Sequence, residues 1–253
     1  MLQRMPRGMG YDRSTIMFSP DGRIIQVEYA REAMRKGTPS VGVRARNGLI
    51  LLGLRQERPL LVSSKKIFVV DDHLGLVFSG YSADGKALIS FARERAQTHR
   101  FIYDEPIDVR LLTKEVSEHM HMFSQYGGAR PYGCGLIIGG MDVAGPGLAY
   151  LDPGGTTMEL LAGVIGSQKE KGERILEEYA KNNEMQDLEM ESAIKLGFKA
   201  LLESAETVPK PSEIELGIIR EGKTFRTVTA KKDPEILSFY KELTTEKKEE
   251  EGE

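Results

Sequence analysis

A hairpin near the start of the chain constrains the fold more than any other feature. The stretch SVGVRAR alternates apolar and other side chains, the pair Asn47-Gly48 follows, and the apolar run LILLGL comes next. Asn-Gly supplies the positive φ angles of a tight turn between antiparallel strands. A second pair of apolar runs, KIFVV and LGLVF, flanks the polar residues DDH. The chain therefore opens with antiparallel strands, which disfavours a parallel Rossmann-type sheet.

Helical periodicity marks the segments between the strands. Ser19 and Pro20 as start signals and Gly37 as a stop predict a first helix over 22–37. Apolar spacing predicts further helices over 82–103, 106–123, 170–181, 187–204 and from 234 onward, with strands around YGCGLIIGGM, GLAYLD, TMELLAGVI, EIELGIIR and TFRTVTA. This order fits two packed antiparallel sheets with helices on both outer sides. We predict an α+β fold, a four-layer αββα sandwich.

Composition narrows the class of protein. The 253 residues with 40% hydrophobic content support one large domain, and a net charge of -3 gives no basic footprint for nucleic acid. No apolar run approaches the roughly 20 residues of a membrane span. We expect a soluble, cytoplasmic protein with no nucleic-acid or membrane partner. The charged end of the chain, residues 244–253, predicts a solvated, disordered tail.

Several common catalytic and metal-binding patterns are missing from the sequence. The single cysteine, Cys134, lies in the apolar run GCGLIIGG, where a buried thiol is expected. His119 and His121 are two residues apart and would point to different faces of a helix, so they do not form a metal pair. No phosphate-binding GxxxxGK[ST] pattern occurs. We expect no metal and no cofactor, and any ATP would be used by a partner.

Three ordered runs resemble a known family. They are YDRSTIMFSPDGRIIQVEYAREAMRKGTPSVG at 11–42, YGGARPYGCGLIIGG at 126–140 and DPGGT at 152–156. Together they resemble archaeal-type proteasome α subunits, and the resemblance covers nearly the whole chain apart from its ends. Two departures stand out. The segment 55–64 is shorter than usual, and Tyr81 replaces the more familiar aliphatic residue after Gly80.

The resemblance implies a non-catalytic subunit of a seven-membered α ring. Such rings cap inner rings of β subunits that hold the threonine protease sites, and unfolded substrates cross the α ring on their way in. It further implies docking of a regulatory ATPase activator for ATP-dependent protein degradation. The expected domains are a gate segment at 1–13, a proteasome α-type domain at 14–243 and the charged tail at 244–253.

The resemblance also assigns roles to single residues. It implies three groups: a gate of Tyr11, Asp12, Arg13, Pro20 and Tyr29; an activator-docking pocket of Lys66 and Gly80 assisted by Arg31; and a pore constriction of Tyr126, Gly127 and Gly128. Plainer interpretations stay open. Residues 11–13 could be a solvated terminus, Pro20 could only start a helix, Lys66 could be a solvated strand-edge lysine, and residues 126–128 could be an ordinary turn.

Two rival functions remain to be weighed. Gly37-Thr38 resembles the junction at which catalytic β-type chains are cut to expose a threonine, whose free amino group activates its hydroxyl. Aligned from Val41-Gly42, however, the acidic positions of that site fall at Leu54 and near Ile194, and Pro39 stiffens the junction. We therefore expect no catalytic residue in this chain. The second rival is a non-proteasomal scaffold of the same fold.

Overall fold

The computed structural model describes residues 17–57, 60 and 64–250, except for the side chains of 246–250. The helices of this part are α1 Ile25–Arg35, α2 Ser82–Tyr103, α3 Val109–Gln125, α4 Lys169–Asn182, α5 Met190–Ser204 and α6 Pro234–Glu250, with a short 3-10 turn at Met185–Asp187. The strands are β1 Ser40–Ala45, β2 Gly48–Leu54, β3 Ile67–Asp71, β4 Leu74–Gly80, β5 Cys134–Asp142, β6 Gly145–Leu151, β7 Thr157–Glu159, β8 Ala162–Ile165, β9 Ile214–Arg220 and β10 Arg226–Thr229.

The strands form two five-stranded sheets. Sheet I has the order β10-β9-β2-β1-β8 and sheet II the order β3-β4-β5-β6-β7, and all pairings are antiparallel. The predicted hairpin is confirmed, since Ser40 pairs with Gly53 and Ala45 with Gly48. Sheet I is completed late in the chain, because Ile50 of β2 pairs with Ile218 of β9.

Three apolar clusters define the layers. One lies between sheet I and helices α4, α5 and α6, the second between sheet II and helices α2 and α3, and the third between the two sheets. Strand β2 is apolar throughout because both of its faces are buried. Ile50 and Leu52 face the helices, while Leu49 and Leu51 face sheet II. Burial of both faces is what a sandwich of this kind requires. The predicted four-layer αββα fold is confirmed.

Three local predictions differ from the structure. The run TMELLAGVI is not one strand, because β7 belongs to sheet II and β8 to sheet I. The first helix begins at Ile25, so Pro20 lies in the turn before it. Helix α6 continues to Glu250, and the Thr244 hydroxyl donates to the carbonyl of Tyr240 2.8 Å away. The segment predicted as a disordered tail from 244 is therefore helical as far as 250, and the domain bounds stay predictions.

Candidate functional site

Helix α1 lies across one end of the two sheets, where strand β1 starts and β4 ends. We call this the covered end. The apolar face of α1, formed by Val27, Ala30 and Met34, is buried. Beyond the helix, the carbonyl of Gly37 accepts a hydrogen bond of 2.8 Å from the Ser167 N–H. Helix α1 is thus held on the sandwich by apolar packing and by its C-terminal connection.

Gly80 makes the close packing at the covered end possible. Its φ of +118° is unfavourable for other residues, and an added Cβ would lie 2.3 Å from the carbonyl oxygen of Gly133 and 2.8 Å from Cα of Cys134. Cα of Met34 would be 3.0 Å away. Gly80 therefore lies where α1, β4 and the start of β5 meet, and its role as the floor of a docking pocket stays a prediction.

Lys66 is buried at this end, with 7% of its surface exposed. Its Nζ donates to the carbonyl oxygen of Thr38 at 3.2 Å and lies 5.4 Å from the ring centroid of Phe78. Burial lowers the pKa of the Lys66 ammonium to about 7. Among the described residues Lys66 forms no ion pair. The interpretation as a solvated strand-edge lysine is therefore wrong.

The main chain at Lys66 is held by a residue that sequence reasoning missed. One carboxylate oxygen of Glu215 accepts hydrogen bonds from the N–H groups of Lys66, at 2.6 Å, and Ile67, at 3.1 Å. Glu215 is only 6% exposed. The available signal was a single acidic residue inside the apolar strand IELGIIR. A buried carboxylate needs donors of this kind.

Thr38 has its reactive groups engaged. Its hydroxyl donates to the carbonyl of Leu54 at 3.0 Å, and its own carbonyl accepts from Lys66 Nζ and from the Ser79 hydroxyl at 3.0 Å. Its nitrogen is part of the peptide bond to Gly37. Ile194 is 1% exposed in the core beside sheet I, and Leu54 packs against that core. Leu54 also lines the pocket beside Thr38, together with Ala205 and Glu206, so an apolar side chain occupies the first of the two predicted acidic positions, whereas Ile194 lies in the core and does not line that pocket.

Arg31 is committed to the fold rather than free to receive a ligand. Its Nε donates to Asp152 at 2.6 Å and its Nη1 to Glu28 at 2.6 Å. The other oxygen of Asp152 accepts from the N–H groups of Gly154, at 2.8 Å, and Thr156, at 3.2 Å. This network ties α1 to the DPGGT loop. A role of Arg31 in activator docking stays a prediction.

The predicted gate residues lie before and on α1. Tyr11, Asp12 and Arg13 lie outside the described residues. Pro20 lies in a reverse turn in which the Gly22 N–H donates to the Ser19 carbonyl at 2.8 Å, with Gly22 at φ +74°.

The same turn is fixed to the start of α1. The Ser19 hydroxyl accepts from the Arg23 N–H at 3.2 Å, which links the two ends of the loop. On α1 itself, Tyr29 is 52% exposed. The predicted reverse turn is therefore present, and its movement on activator docking stays a prediction.

The predicted constriction follows α3 directly. Tyr126 is 61% exposed, and its carbonyl accepts from the Ala129 N–H at 3.2 Å. Gly128 has φ +91°, so the backbone itself favours glycine there. A Cβ on Gly127 would meet nothing within 4 Å. In this chain alone, therefore, nothing crowds Gly127, and its role at a ring constriction stays a prediction.

A carboxylate that the sequence analysis did not single out anchors this segment. Asp84, at the start of α2, accepts from both terminal nitrogens of Arg130, at 2.6 and 2.9 Å, and from the Gly133 N–H at 2.7 Å. Burial raises the pKa of Asp84, but the hydrogen bonds from Arg130 and Gly133 outweigh it and leave the pKa below its ordinary value. The guanidinium also lies 5.5 Å from the ring centroid of Tyr81. Tyr81, the departure noted in the sequence, thus packs beside the anchor.

The histidines and the cysteine have structural surroundings. His119 stacks on Phe91 with ring centroids 4.0 Å apart, its Nε2 lies 2.9 Å from the Tyr132 hydroxyl, and burial lowers its pKa. Burial raises the pKa of the Cys134 thiol to about 12, so it is not a thiolate at neutral pH. Across residues 17–57, 60 and 64–250, no three His, Cys, Asp or Glu side chains cluster as metal ligands would. Within the same residues no helix is long and apolar enough to cross a membrane.

Two family models match the chain. The model described as proteasome subunit matches residues 34–219, and the model of the N-terminal signature of A-type proteasome subunits matches residues 11–33. Together they span the covered end, the constriction segment and the residues before α1. The second match also includes Tyr11, Asp12 and Arg13.

Curated relatives agree with the family models. The chain is 41% identical to the proteasome alpha subunit of Methanosarcina barkeri over 250 residues, which is 97% of each chain. It is 43% identical to the proteasome alpha subunit of Sulfurisphaera tokodaii over 218 residues, covering 84% of this chain and 88% of the relative. It is 39% identical to the proteasome alpha subunit of Methanothermobacter thermautotrophicus over 248 residues, covering 96% and 97%. The similarity therefore extends over nearly the whole of both chains.

Proposed function

This chain belongs to the proteasome α-subunit family, and from that membership we propose that it is a non-catalytic, gate-forming subunit of a cytoplasmic proteasome core particle. It joins other α subunits in a seven-membered ring, rests on β subunits that carry the protease sites, and admits unfolded substrates. It also docks a regulatory ATPase activator. The observation that carries the proposal is the state of Thr38.

The absence of catalysis follows from three features of Thr38. Threonine proteases of this type use the free α-amino group of the threonine as the base for its own hydroxyl. Here the hydroxyl donates to the Leu54 carbonyl, and the Gly37 carbonyl just before Thr38 accepts from the Ser167 N–H, with the apolar face of α1 packed on the sandwich upstream. Apolar Leu54 occupies the first predicted acidic position, and Lys66 forms no ion pair among the described residues. A match to the α-type N-terminal signature also disfavours the β-type alternative.

Gating is supported by the position of the segment that precedes α1. Residues 1–13 contain glycine at two positions and come just before the Pro20 turn, which α1 anchors to the sandwich. In this proposal they form the gate across the opening of the ring. The exposed Tyr126 and the adjoining glycines, anchored through Arg130 and Asp84, suit a second, narrower ring of residues further inside.

Activator docking is supported by the surroundings of Lys66. Its Nζ has only the Thr38 carbonyl as a hydrogen-bond acceptor among the described residues. At the same end Gly80 lets strand β4 pack directly against Gly133 and Cys134. A C-terminal carboxylate that reaches this ammonium would provide the missing anion. In this proposal Lys66 binds the carboxylate, Gly80 forms the floor, and Arg31 acts through α1 rather than as a free cation.

Deletion of residues 1–13 tests the gate. The particle assembled with its β subunits should degrade unfolded casein faster than the intact particle, because the steric block is gone. A short fluorogenic peptide should gain less, since it passes a partly closed opening more easily. Deletion of 244–253, which removes a charged segment of similar length from the other end, is the control and should change neither rate.

Two outcomes would contradict the proposal. Casein degradation by the 1–13 deletion at the intact rate would remove the gate assignment, provided native mass spectrometry shows that the particle has assembled. Peptide hydrolysis by the purified chain alone, abolished by Thr38→Ala, would instead restore the β-type alternative. Rings of seven copies in native mass spectra of the chain alone are the result expected here.

A further inference from the structure

A second cavity lies at the end of the sandwich opposite to α1. It is enclosed by the first turns of α3, by the turn between β5 and β6, and by β7, and its volume is about 460 Å³. We call it the β7 cleft. Ligand pockets for small molecules begin at roughly 300 Å³. The cleft shares no lining residue with the covered end.

Arg44 on strand β1 places a positive charge in the wall of this cleft. Its neighbours Val43 and Ala45 face the helices beside sheet I, so Arg44 points toward sheet II. Its Nε is buried without a hydrogen-bond partner, and no ion pair or side-chain hydrogen bond is made by its guanidinium within the described part of the chain. An arginine stays charged at any ordinary pH. A buried guanidinium nitrogen without an acceptor is unfavourable, and an anion in the cleft would supply one.

The carboxylates at the cleft are already engaged by other groups. One oxygen of Asp142 accepts from the Val109 N–H at 3.0 Å and the other from the Ala144 N–H at 2.8 Å. Glu159 pairs with Arg110 at 2.5 Å across the mouth of the cleft, and this pair is largely exposed. Neither acid forms an ion pair with Arg44 in the described part of the chain.

A second polar group in the cleft wall also lacks a partner among the described residues. Thr113 on α3 is 6% exposed, and its hydroxyl has no hydrogen bond there. A buried hydroxyl without an acceptor or donor is unfavourable. Two unsatisfied groups, from strand β1 and helix α3, therefore line the same cavity, and both would gain from an oxygen-rich ligand.

We infer that the β7 cleft is a binding site for a small organic carboxylate, held in a bidentate pair by the terminal nitrogens of Arg44. The planar guanidinium matches the two oxygens of a carboxylate. Lys114 at the rim, exposed and 3.8 Å from Glu118, adds a second positive charge near the entrance. The inference goes beyond the gate function and does not depend on it.

Succinate titration by calorimetry on the purified full chain tests the site. The wild type should bind succinate, and Arg44→Gln should weaken binding by about 10- to 100-fold, the loss expected for a charged hydrogen-bonded pair. Arg46→Gln is the matched control. Arg46 lies just after the same strand and pairs with Glu189 outside the cleft, so its removal should leave succinate affinity unchanged. Inorganic phosphate is the comparison probe and should bind more weakly than succinate.

A second variant keeps the test decisive if Arg44→Gln folds poorly. Ser117→Phe fills the cleft from α3 without changing Arg44, and it should also abolish succinate binding. No binding of succinate by the wild type would overturn the inference. So would wild-type affinity for succinate in both Arg44→Gln and Ser117→Phe. Tighter binding of phosphate than of succinate would overturn the carboxylate assignment. If Arg44→Gln instead prevents ring assembly and succinate never binds, Arg44 serves a subunit contact and the site does not exist.

Discussion

Two basic side chains lie within the sandwich near opposite ends of strand β1, and burial affects the charge of each differently. Lys66 at the covered end is 7% exposed, donates to the Thr38 carbonyl and has its pKa lowered to about 7. Arg44 at the β7 cleft has a buried Nε with no acceptor among the described residues. A lysine can lose its proton when buried, whereas an arginine cannot. The covered end can therefore hold a neutral Lys66 without an anion, whereas the guanidinium of Arg44 stays charged and gains from an anion in the cleft.

The largest expected effect is a difference in pH dependence. The folded-state pKa of Lys66, about 7, lies below the 10.5 of an exposed lysine, so unfolding takes up a proton between these pH values. Stability contributed at this site therefore rises as pH increases from 7. Relative to Lys66→Met, the wild type should gain on the order of 4 kcal/mol in free energy of unfolding between pH 7 and 10.

Urea denaturation at a series of pH values measures this difference. Arg44→Met is the matched control, and its difference from the wild type should not change over the same range, because the guanidinium keeps its proton in both states. Parallel curves for the wild type and Lys66→Met would mean that Lys66 stays charged in the folded protein.

The next effect compares two glycines with positive φ at the two ends. Gly80→Ala combines an unfavourable φ of +118° with contacts of 2.3 and 2.8 Å to backbone atoms, and should cost about 3 kcal/mol. Gly145→Ala has φ +102° but meets nothing within 4 Å, and should cost about 1 kcal/mol. Denaturant midpoints of both variants give the comparison. Equal losses would show that the covered end is not more tightly packed than the cleft.

A smaller effect is expected in the pH dependence of ligand affinity at the two ends. An activator carboxylate at Lys66 needs the protonated amine, so its affinity for assembled particles should fall by about tenfold per pH unit above pH 7. Succinate affinity at Arg44 should stay constant from pH 7 to 9. Lys66→Met should bind the activator weakly at every pH. An activator affinity that does not change with pH, or is unaltered in Lys66→Met, would remove Lys66 from the docking pocket.

The smallest effect concerns the unsatisfied hydroxyl in the cleft wall. Thr113→Val replaces a buried hydroxyl that lacks a partner with a methyl group of similar shape, and should raise the free energy of unfolding by about 1 kcal/mol in the absence of ligand. Valine keeps the volume of the side chain, so the substitution leaves no cavity. Thr38→Val, which removes the hydroxyl that donates to Leu54, is the matched control and should instead be destabilising. A loss of stability in Thr113→Val would imply that its hydroxyl has an acceptor in solution.

Sequence reasoning succeeded where local rules decide the structure. The span of α2, Ser82–Tyr103, and the turn at Asn47-Gly48 follow from apolar spacing and from turn chemistry, both visible in a short window. Sequence reasoning failed where contacts between distant parts of the chain decide the structure. The run TMELLAGVI is apolar nearly throughout, so nothing in it shows that β7 and β8 join different sheets.

The candidate site shows the same division. The family resemblance identifies Gly80, Tyr126 and Lys66 as residues of interest. It does not show that Lys66 is buried against Thr38, because that depends on α1 covering the sheets. Pairs such as Arg130 with Asp84 join distant parts of the chain. No local pattern predicts such a partner, so the anchor of the constriction segment could only be found in three dimensions.

The order of strands in sheet I has a consequence for how the chain is made. Strand β2, the most apolar strand, lies between β1 and β9, and its pairing of Ile50 with Ile218 waits until most of the polypeptide has left the ribosome. Sheet II is contiguous in sequence from β3 to β7 and can form earlier. Long-range pairing is slow, and an unpaired apolar edge aggregates easily. During synthesis the exposed edge of β2 is therefore the part of this protein that most needs protection by a chaperone.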